Sequence, residues 1–316
     1  MNSRDNHLEI TLAIAAVERD TGIGKDTLRV WERRYGFPVP SRDGNDERIY
    51  PMVQVEKLRV IKRLMDQGHR PGRIVAQSME ALQHLSRGEA SLQASHGSGE
   101  AHERDDLLML IALLQTQDHE GMRRELLKTL TQDGLQHFVV DVVAPMTILV
   151  GNAWARGDLA VHEEHLYTEC VSGLMRQAVA AIPKPPHGTA PKVLLTTFPQ
   201  EAHGLGLLMV ESLLTLHGCH CVSLGTQTPV RDIAQAAIAH GVDVVALSFS
   251  VNMNTNHVVD GLSELHSLLP ANVEVWAGGN APALRRRQID RVTVLNTLTA
   301  IEAAVSGWRL KSRHHD

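Results

Sequence analysis

Cysteine is scarce in this chain, with three in 316 residues. So small and odd a number excludes a disulfide framework and fits a reducing cytosol, which makes a cytoplasmic location the expectation. Two of the three stand in Cys219-His220-Cys221. Two sulfurs at alternate strand positions do not close a zinc site, so they read as ordinary strand residues. Long apolar runs are missing too. None reaches the ~18 residues of a membrane helix, and the opening MNSRDNHLEI is too polar for a signal peptide. No internal repeat shows, and no segment supplies the ~250 residues of a catalytic (β/α)8 barrel. What remains is a chain with 43% hydrophobic residues, ample for the buried cores of two or three domains.

Charge is unevenly spread. Residues 1–85 hold 14 Lys/Arg against 12 Asp/Glu, and the rest hold 17 against 24. A slightly basic head on an acidic body points to nucleic acid at the N-terminus. Residues 86–102, SRGEASLQASHGSGEAH, are small and polar without apolar period, and read as a flexible linker. A second break, IPKPPHGTAP at 182–191, carries four prolines and reads as a stiff, extended connection. The expected organisation is therefore a head over 1–85, the linker, a third region over 103–183 and a fourth over 190–316.

In the head, Leu12, Ala16 and Val17 recur at helical spacing, and Thr21-Gly22 marks a tight turn. A second helix from about Lys25 to Arg34 would bury Leu28 and Trp31 and show Lys25, Arg29 and Arg33 outward. Helix, short glycine turn, helix is the helix-turn-helix pattern, whose second helix fits the major groove. Pro38 to Pro51 is rich in turn residues and suits a two-stranded wing. Val55, Leu58, Ile61 and Leu64 then stripe an amphipathic helix.

Residues 103–183 form four apolar-striped segments with short joints, which suggests a four-helix bundle. Pro145 is expected to start or kink a helix. Beyond 190 the pattern alternates: strands near 192–198, 219–225, 242–248, 273–279 and 292–296, each followed by a helix-like stretch. That is a parallel, doubly wound sheet, and ligands of such sheets bind beyond the carboxyl ends of the strands. Glu201, His203, Ser248, Gly278 and Gly279 all fall at those ends.

Three resemblances follow from these residues. TLRVWERRYGFPVPSR with Arg48-Ile49-Tyr50 resembles the MerR winged helix-turn-helix regulators over roughly residues 9–80, with Gly24 where Ser usually caps the recognition helix. It implies contacts to double-stranded promoter DNA from Lys25, Thr27, Arg29, Arg33 and Arg34 of that helix and from Arg42, Arg48 and Tyr50 of the wing.

Glu201-x-His203-x-x-Gly206, then 41 residues to Ser248, and 27 residues between Ser250 and Gly278-Gly279, resemble the cobalamin-binding domain of some mutases, methionine synthase and a class of regulators. The resemblance implies that His203 is the lower axial ligand of cobalt. The nucleotide tail would run past Ser248 and over the glycines. Two departures are Glu201 for the commoner Asp and Ser250 for Leu.

Trp154, nine residues, then Glu164-His165 resembles the signature of CarH- and LitR-like photoreceptor regulators, in which the bundle caps the upper face of adenosylcobalamin. In the light-sensing members a histidine follows the tryptophan and takes the upper cobalt position after light expels the adenosyl group. Here that residue is Ala155, with His162 and His165 further on.

Together these imply a MerR-type head, a four-helix bundle and a Rossmann-like (flavodoxin-like) cobalamin domain in a regulator, not an enzyme. The expected protein is a repressor that senses light through adenosylcobalamin and changes its homo-oligomeric state between dimer and tetramer. Two alternatives stay open: a light-insensitive sensor of cobalamin, and a corrinoid carrier module of a methyltransferase or mutase.

Overall fold

A computed structural model describes residues 11–44, 46–66, 69–82, 85, 101–156, 158–183, 190–250, 253–286, 289 and 291–312. Most of the linker 86–102 and of the proline-rich connection lies outside them, although Ala101 and His102 already belong to a helix. The chain divides into two compact units. One takes the head together with Asn152–Leu159; the other takes Gly99–Gly151 and Ala160–Asp316.

The head begins with β1 (Thr11–Ala13), α1 (Ile14–Thr21) and α2 (Lys25–Tyr35), followed by β2 (Ser41–Arg42), β3 (Arg48–Pro51), α3 (Met52–Asp66) and α4 (Pro71–Ile74). Leu12 was expected in the first helix and lies in β1, opposite Tyr50 of β3. The wing sheet therefore has three strands in the order β1-β3-β2 instead of two. The hydrogen bonds offered by β3 outweigh the helical spacing of a single leucine. Gly22 takes a left-handed φ of 69° and ends α1, its N–H bonding Glu18. Val17, Leu28, Trp31, Tyr50, Val55, Leu58, Ile61 and Leu64 make the core, so the α3 stripe is the one the spacing predicts.

The helical region contains α5 (Ala101–Gln115), α6 (His119–His137), a π turn at Phe138–Val143, α7 (Ala144–Arg156) and α8 (Val161–Ala181). Asp118 caps α6 by accepting the Gly121 N–H at 2.9 Å. Gly134, at φ 83° and ψ 169°, breaks it. Pro145 is the second residue of α7 and so stands at the start of a helix, as its sequence position suggests. The π turn just before it bonds one residue further along, which accommodates a position that has no N–H to give. By length and composition, His119–Trp154 would suffice to cross a membrane, contrary to the expectation of no such stretch. In the fold it is interrupted at Gly134, and it buries Phe138, Val139, Val143, Met146 and Val150.

The rest is a five-stranded parallel sheet. Its elements are β4 (Lys192–Thr196), α9 (Leu205–Leu216), β5 (His220–Gly225), α10 (Val230–His240), β6 (Val244–Phe249), α11 (Thr255–Leu268), β7 (Glu274–Gly279), α12 (Pro282–Arg286), β8 (Val292–Leu295) and α13 (Ala300–Ser312). The strand order is β5-β4-β6-β7-β8. The chain leaves β4 toward β5 and returns on the other side as β6, so the topological switch point lies between β4 and β6. α9 is apolar nearly all round. It buries Leu207, Leu208, Met209, Leu213 and Leu214 because it has β4 and β6 on one side and α6, the π turn and α8 on the other. The loop that carries His203 is thus held at the start of a helix enclosed on both sides.

Candidate functional site

At the switch point the carboxyl ends of β4 and β6 lie side by side, with Thr196 paired to Leu247. The chain leaving β4 folds back through Gln200, at φ 73°, and presents Glu201 inward and His203 outward. Glu201 is 1% exposed, while the His203 side chain is 65% exposed. One carboxylate oxygen accepts the His203 backbone N–H at 3.1 Å and lies 2.6 Å from its ring Nδ1. The other accepts the Ser250 N–H at 2.6 Å. Burial pushes the Glu201 carboxyl upward, but hydrogen bonds from His203 and Ser250 outweigh it and leave the group below its usual range. An ionised Glu201 fixes the proton of His203 on Nδ1. In that tautomer Nε2 is the ring nitrogen that carries a lone pair, the form in which an imidazole ligates a metal.

At the carboxyl ends of β6 and β7 glycines bring the chain close against itself. β6 and β7 are in register with Ser248 beside Gly278 and Phe249 beside Gly279. Gly279 has φ 107°, and a Cβ there would stand 2.2 Å from the Phe249 carbonyl oxygen. A Cβ on Gly206 would meet the Ser248 Oγ at 3.0 Å. The first excludes any side chain, and the second keeps a close approach between α9 and β6. The donor set fits cobalamin well. A single imidazole suits a metal whose other positions its own macrocycle fills. Among the described residues no cluster of three or more His, Cys, Asp or Glu could hold a free metal ion. Cys219 and Cys221 are strand-edge residues whose thiols burial pushes up to about 12, which makes them poor thiolates.

Trp154 lies in the last turn of α7, half-buried, in the Asn152–Leu159 segment. Glu164 and His165 lie in the first turn of α8, so they and Trp154 belong to different compact units. Glu164 accepts the Thr168 hydroxyl at 2.9 Å, and His165 is exposed beside it, Nε2 to Oε2 3.6 Å.

In the head, Thr27, Arg29, Arg33 and Arg34 of α2 are exposed and Lys25 is half-exposed; Lys25, Arg29 and Arg33 share one face, on which Lys25 pairs with Glu18 at 3.4 Å and Arg29 with Asp26 at 3.0 Å. Arg42 is exposed in the wing and pairs with Asp46 at 2.9 Å. Tyr50 differs from the expectation. It is fully buried, and its hydroxyl donates to Glu32 at 2.6 Å. It therefore braces the wing from within and offers no open face to DNA. Burial, then the Glu32 hydrogen bond, raise its pKa. Arg48 Nε donates to the other Glu32 oxygen at 3.1 Å. Sequence reasoning missed Glu32, although it sits inside the Trp-Glu-Arg-Arg-Tyr run. Alternate positions 48 and 50 share one face of β3, and that face needed an acceptor. Glu32→Ala should lower the stability of the head by about 1–3 kcal/mol, the cost of an unpartnered buried hydroxyl. It should weaken DNA binding while leaving the salt slope intact, since no phosphate contact is lost. Thermal melts with binding isotherms over a salt series check this, and an unchanged melting temperature would show that the Tyr50 hydroxyl does not depend on Glu32.

Comparison with known proteins agrees with this geometry. Residues 12–76 match the model of the MerR HTH family regulatory proteins. Residues 109–179 and 191–298 match two models, each described as a B12 binding domain. The chain is 28% identical over 289 residues to the HTH-type transcriptional repressor CarH of Myxococcus xanthus, covering 90% of this chain and 94% of that one. It is 32% identical over 244 residues to the HTH-type transcriptional repressor CarA of the same organism, covering 76% and 77%. Among solved structures, the monomethylamine corrinoid protein of Methanosarcina barkeri matches with TM-score 0.51 at 16% identity, over 63% of this chain and 96% of that one; at that identity it speaks for the fold alone. The chain belongs to the MerR-family regulators that carry a cobalamin-binding domain behind the DNA-binding head.

Proposed function

We propose that this protein is a cobalamin-dependent transcriptional repressor, not an enzyme, in which His203 is the lower axial ligand of cobalt and α2 reads promoter DNA. One observation carries the reading: a buried carboxylate pins His203 with Nε2 outward at the switch point of a chain that also opens with a basic recognition helix. Its working parts are the head to about residue 85, the bundle over 103–183 and the α/β domain over 190–316. Adenosylcobalamin is the form proposed, because Trp154, Glu164 and His165 reproduce the signature of regulators that cap its upper face. Bound there, it would supply a cobalt–carbon bond that light can break. On this reading His203 would hold the cobalt, Ser248, Ser250, Gly278 and Gly279 would border the tail, and Glu201 would fix the histidine tautomer. Arg29 and Arg33 serve the groove; Arg42 and Arg48 serve the phosphates. Assembly into a dimer or tetramer would multiply DNA contacts through effective concentration, in the cytoplasm and without a membrane.

The test is DNA binding by the purified chain with and without adenosylcobalamin, in darkness and in light, with the oligomeric state followed in parallel. Tight binding and assembly only with the cofactor in the dark support the full reading. A second reading, a light-insensitive cobalamin sensor, is favoured by Ala155, and the same experiment separates it: cofactor dependence without light dependence. DNA binding indifferent to cobalamin would overturn both.

A further inference from the structure

We infer that Thr197 is a positioning residue for the axial histidine, acting through the loop that carries it. This rests on the assignment of His203 as the cobalt ligand. Thr197 directly follows β4 and is fully buried. Its hydroxyl donates to the Glu201 carbonyl at 2.7 Å and accepts the Gln227 N–H at 2.8 Å. Its own carbonyl accepts the Thr228 N–H at 3.0 Å. A single hydroxyl thus joins the turn after β4 to the turn after β5.

The two turns need such a tie. Gln200 and Gln227 both adopt left-handed backbone, at φ 73° and 61°, without being glycine, so each conformation persists only where its surroundings hold it. On the β6 side the same loop is tied by Glu201 to the Ser250 N–H. The histidine loop is therefore fastened on both flanks. Thr197 holds the Glu201 backbone, and the Glu201 carboxylate holds the ring. The neighbouring Thr196 hydroxyl cannot take over, since it is engaged by Thr228 Oγ1 at 2.7 Å and by the Gly225 carbonyl at 3.0 Å. Removing the Thr197 hydroxyl leaves the buried Glu201 carbonyl and the part-buried Gln227 N–H to find new partners. The cheapest route is for Glu201, with His203, to shift toward solvent.

The experiment uses the full chain with Thr197→Val, which keeps the shape and removes the hydroxyl, and Thr197→Ser, which keeps the hydroxyl. The probe is cob(II)alamin. Its electron paramagnetic resonance signal reports the axial nitrogen, and ¹⁵N-histidine labelling tells a protein imidazole from the cofactor's own base. We expect Thr197→Val to bind about tenfold more weakly and to lose most of the histidine-derived splitting, with Thr197→Ser restoring both. In the cofactor-free protein, amide exchange should quicken at 201–203 and 225–228 in the Val variant and not in the Ser variant. A role confined to stability would lower the melting temperature and leave the splitting untouched. If Thr197→Val fails to fold, Thr197→Cys carries the same test, because a thiol is only a weak hydrogen-bonding group. Wild-type splitting, affinity and exchange in these variants would overturn the inference while leaving His203 as ligand. A wild type without histidine splitting would overturn the ligand assignment itself.

Discussion

His203→Ala is expected to reduce cobalamin affinity about 100-fold or more, or to return the cofactor to its own base as lower ligand, while lowering stability less than the loss of Glu201 does. Outer-sphere partners of a metal-ligating histidine are worth about 10–100-fold in affinity, so the ligand itself should cost at least the upper figure. Its cost in stability is limited because the side chain is 65% exposed, yet its ring lies 2.6 Å from the buried Glu201 carboxylate, and that one bond goes with it. Glu201→Ala makes the contrast. Glu201 is buried, and its removal strands the Ser250 N–H that it accepts at 2.6 Å, so about 1–3 kcal/mol of stability should go with it. A titration followed by the visible spectrum, with a thermal melt of each variant, separates the two residues. An unchanged spectrum and affinity in His203→Ala would remove that residue from the site.

The parts of this site that the sequence discloses are those set by spacing. Apolar runs of strand length mark the five strands, and their ends collect Glu201, His203, Ser248, Gly278 and Gly279 on one rim before any coordinate is known. The bond from Glu201 to the Ser250 N–H is hidden because it joins residues 49 apart through a backbone group, and a backbone donor has no residue identity to read. Thr197 is hidden for a related reason: a threonine after a β-strand is ordinary until its two partner turns are placed around it. Tyr50 shows the opposite failure. A tyrosine at the end of a basic wing invites a surface role. The side chain goes inside because β1 adds a third strand and Glu32 supplies an acceptor. The three residues Thr11–Ala13 are too short for period-2 alternation to outcompete the helical spacing that follows them. The π turn before Pro145 leaves no signature except the proline itself.

On the reading proposed above, Ala155 stands where the light-sensing pattern has a histidine, and Ala155→His should change the product of illumination. On the reading proposed above, light would still expel the adenosyl group, because that bond is labile whatever protein surrounds it. A histidine at this position would then donate from above while His203 donates from below, locking the cap in its displaced position. An alanine methyl has no lone pair to give. The wild type is therefore expected to yield a product with one protein histidine, to disassemble less completely in light, and to reassemble more readily when fresh adenosylcobalamin is added in the dark. Ala155→His should give a two-histidine spectrum and a fuller, more persistent disassembly. The competing donors are His162 and His165, both exposed in the first turn of α8. Spectra of the illuminated wild type decide between them and the absence of any second donor. If a two-histidine signature appears there and disappears in His162→Ala or His165→Ala, a substitute ligand exists and the prediction for Ala155 fails. If no second histidine appears in the wild type and none in Ala155→His either, the position does not face the cobalt, and the signature shared with the photoreceptor regulators does not extend to their trap.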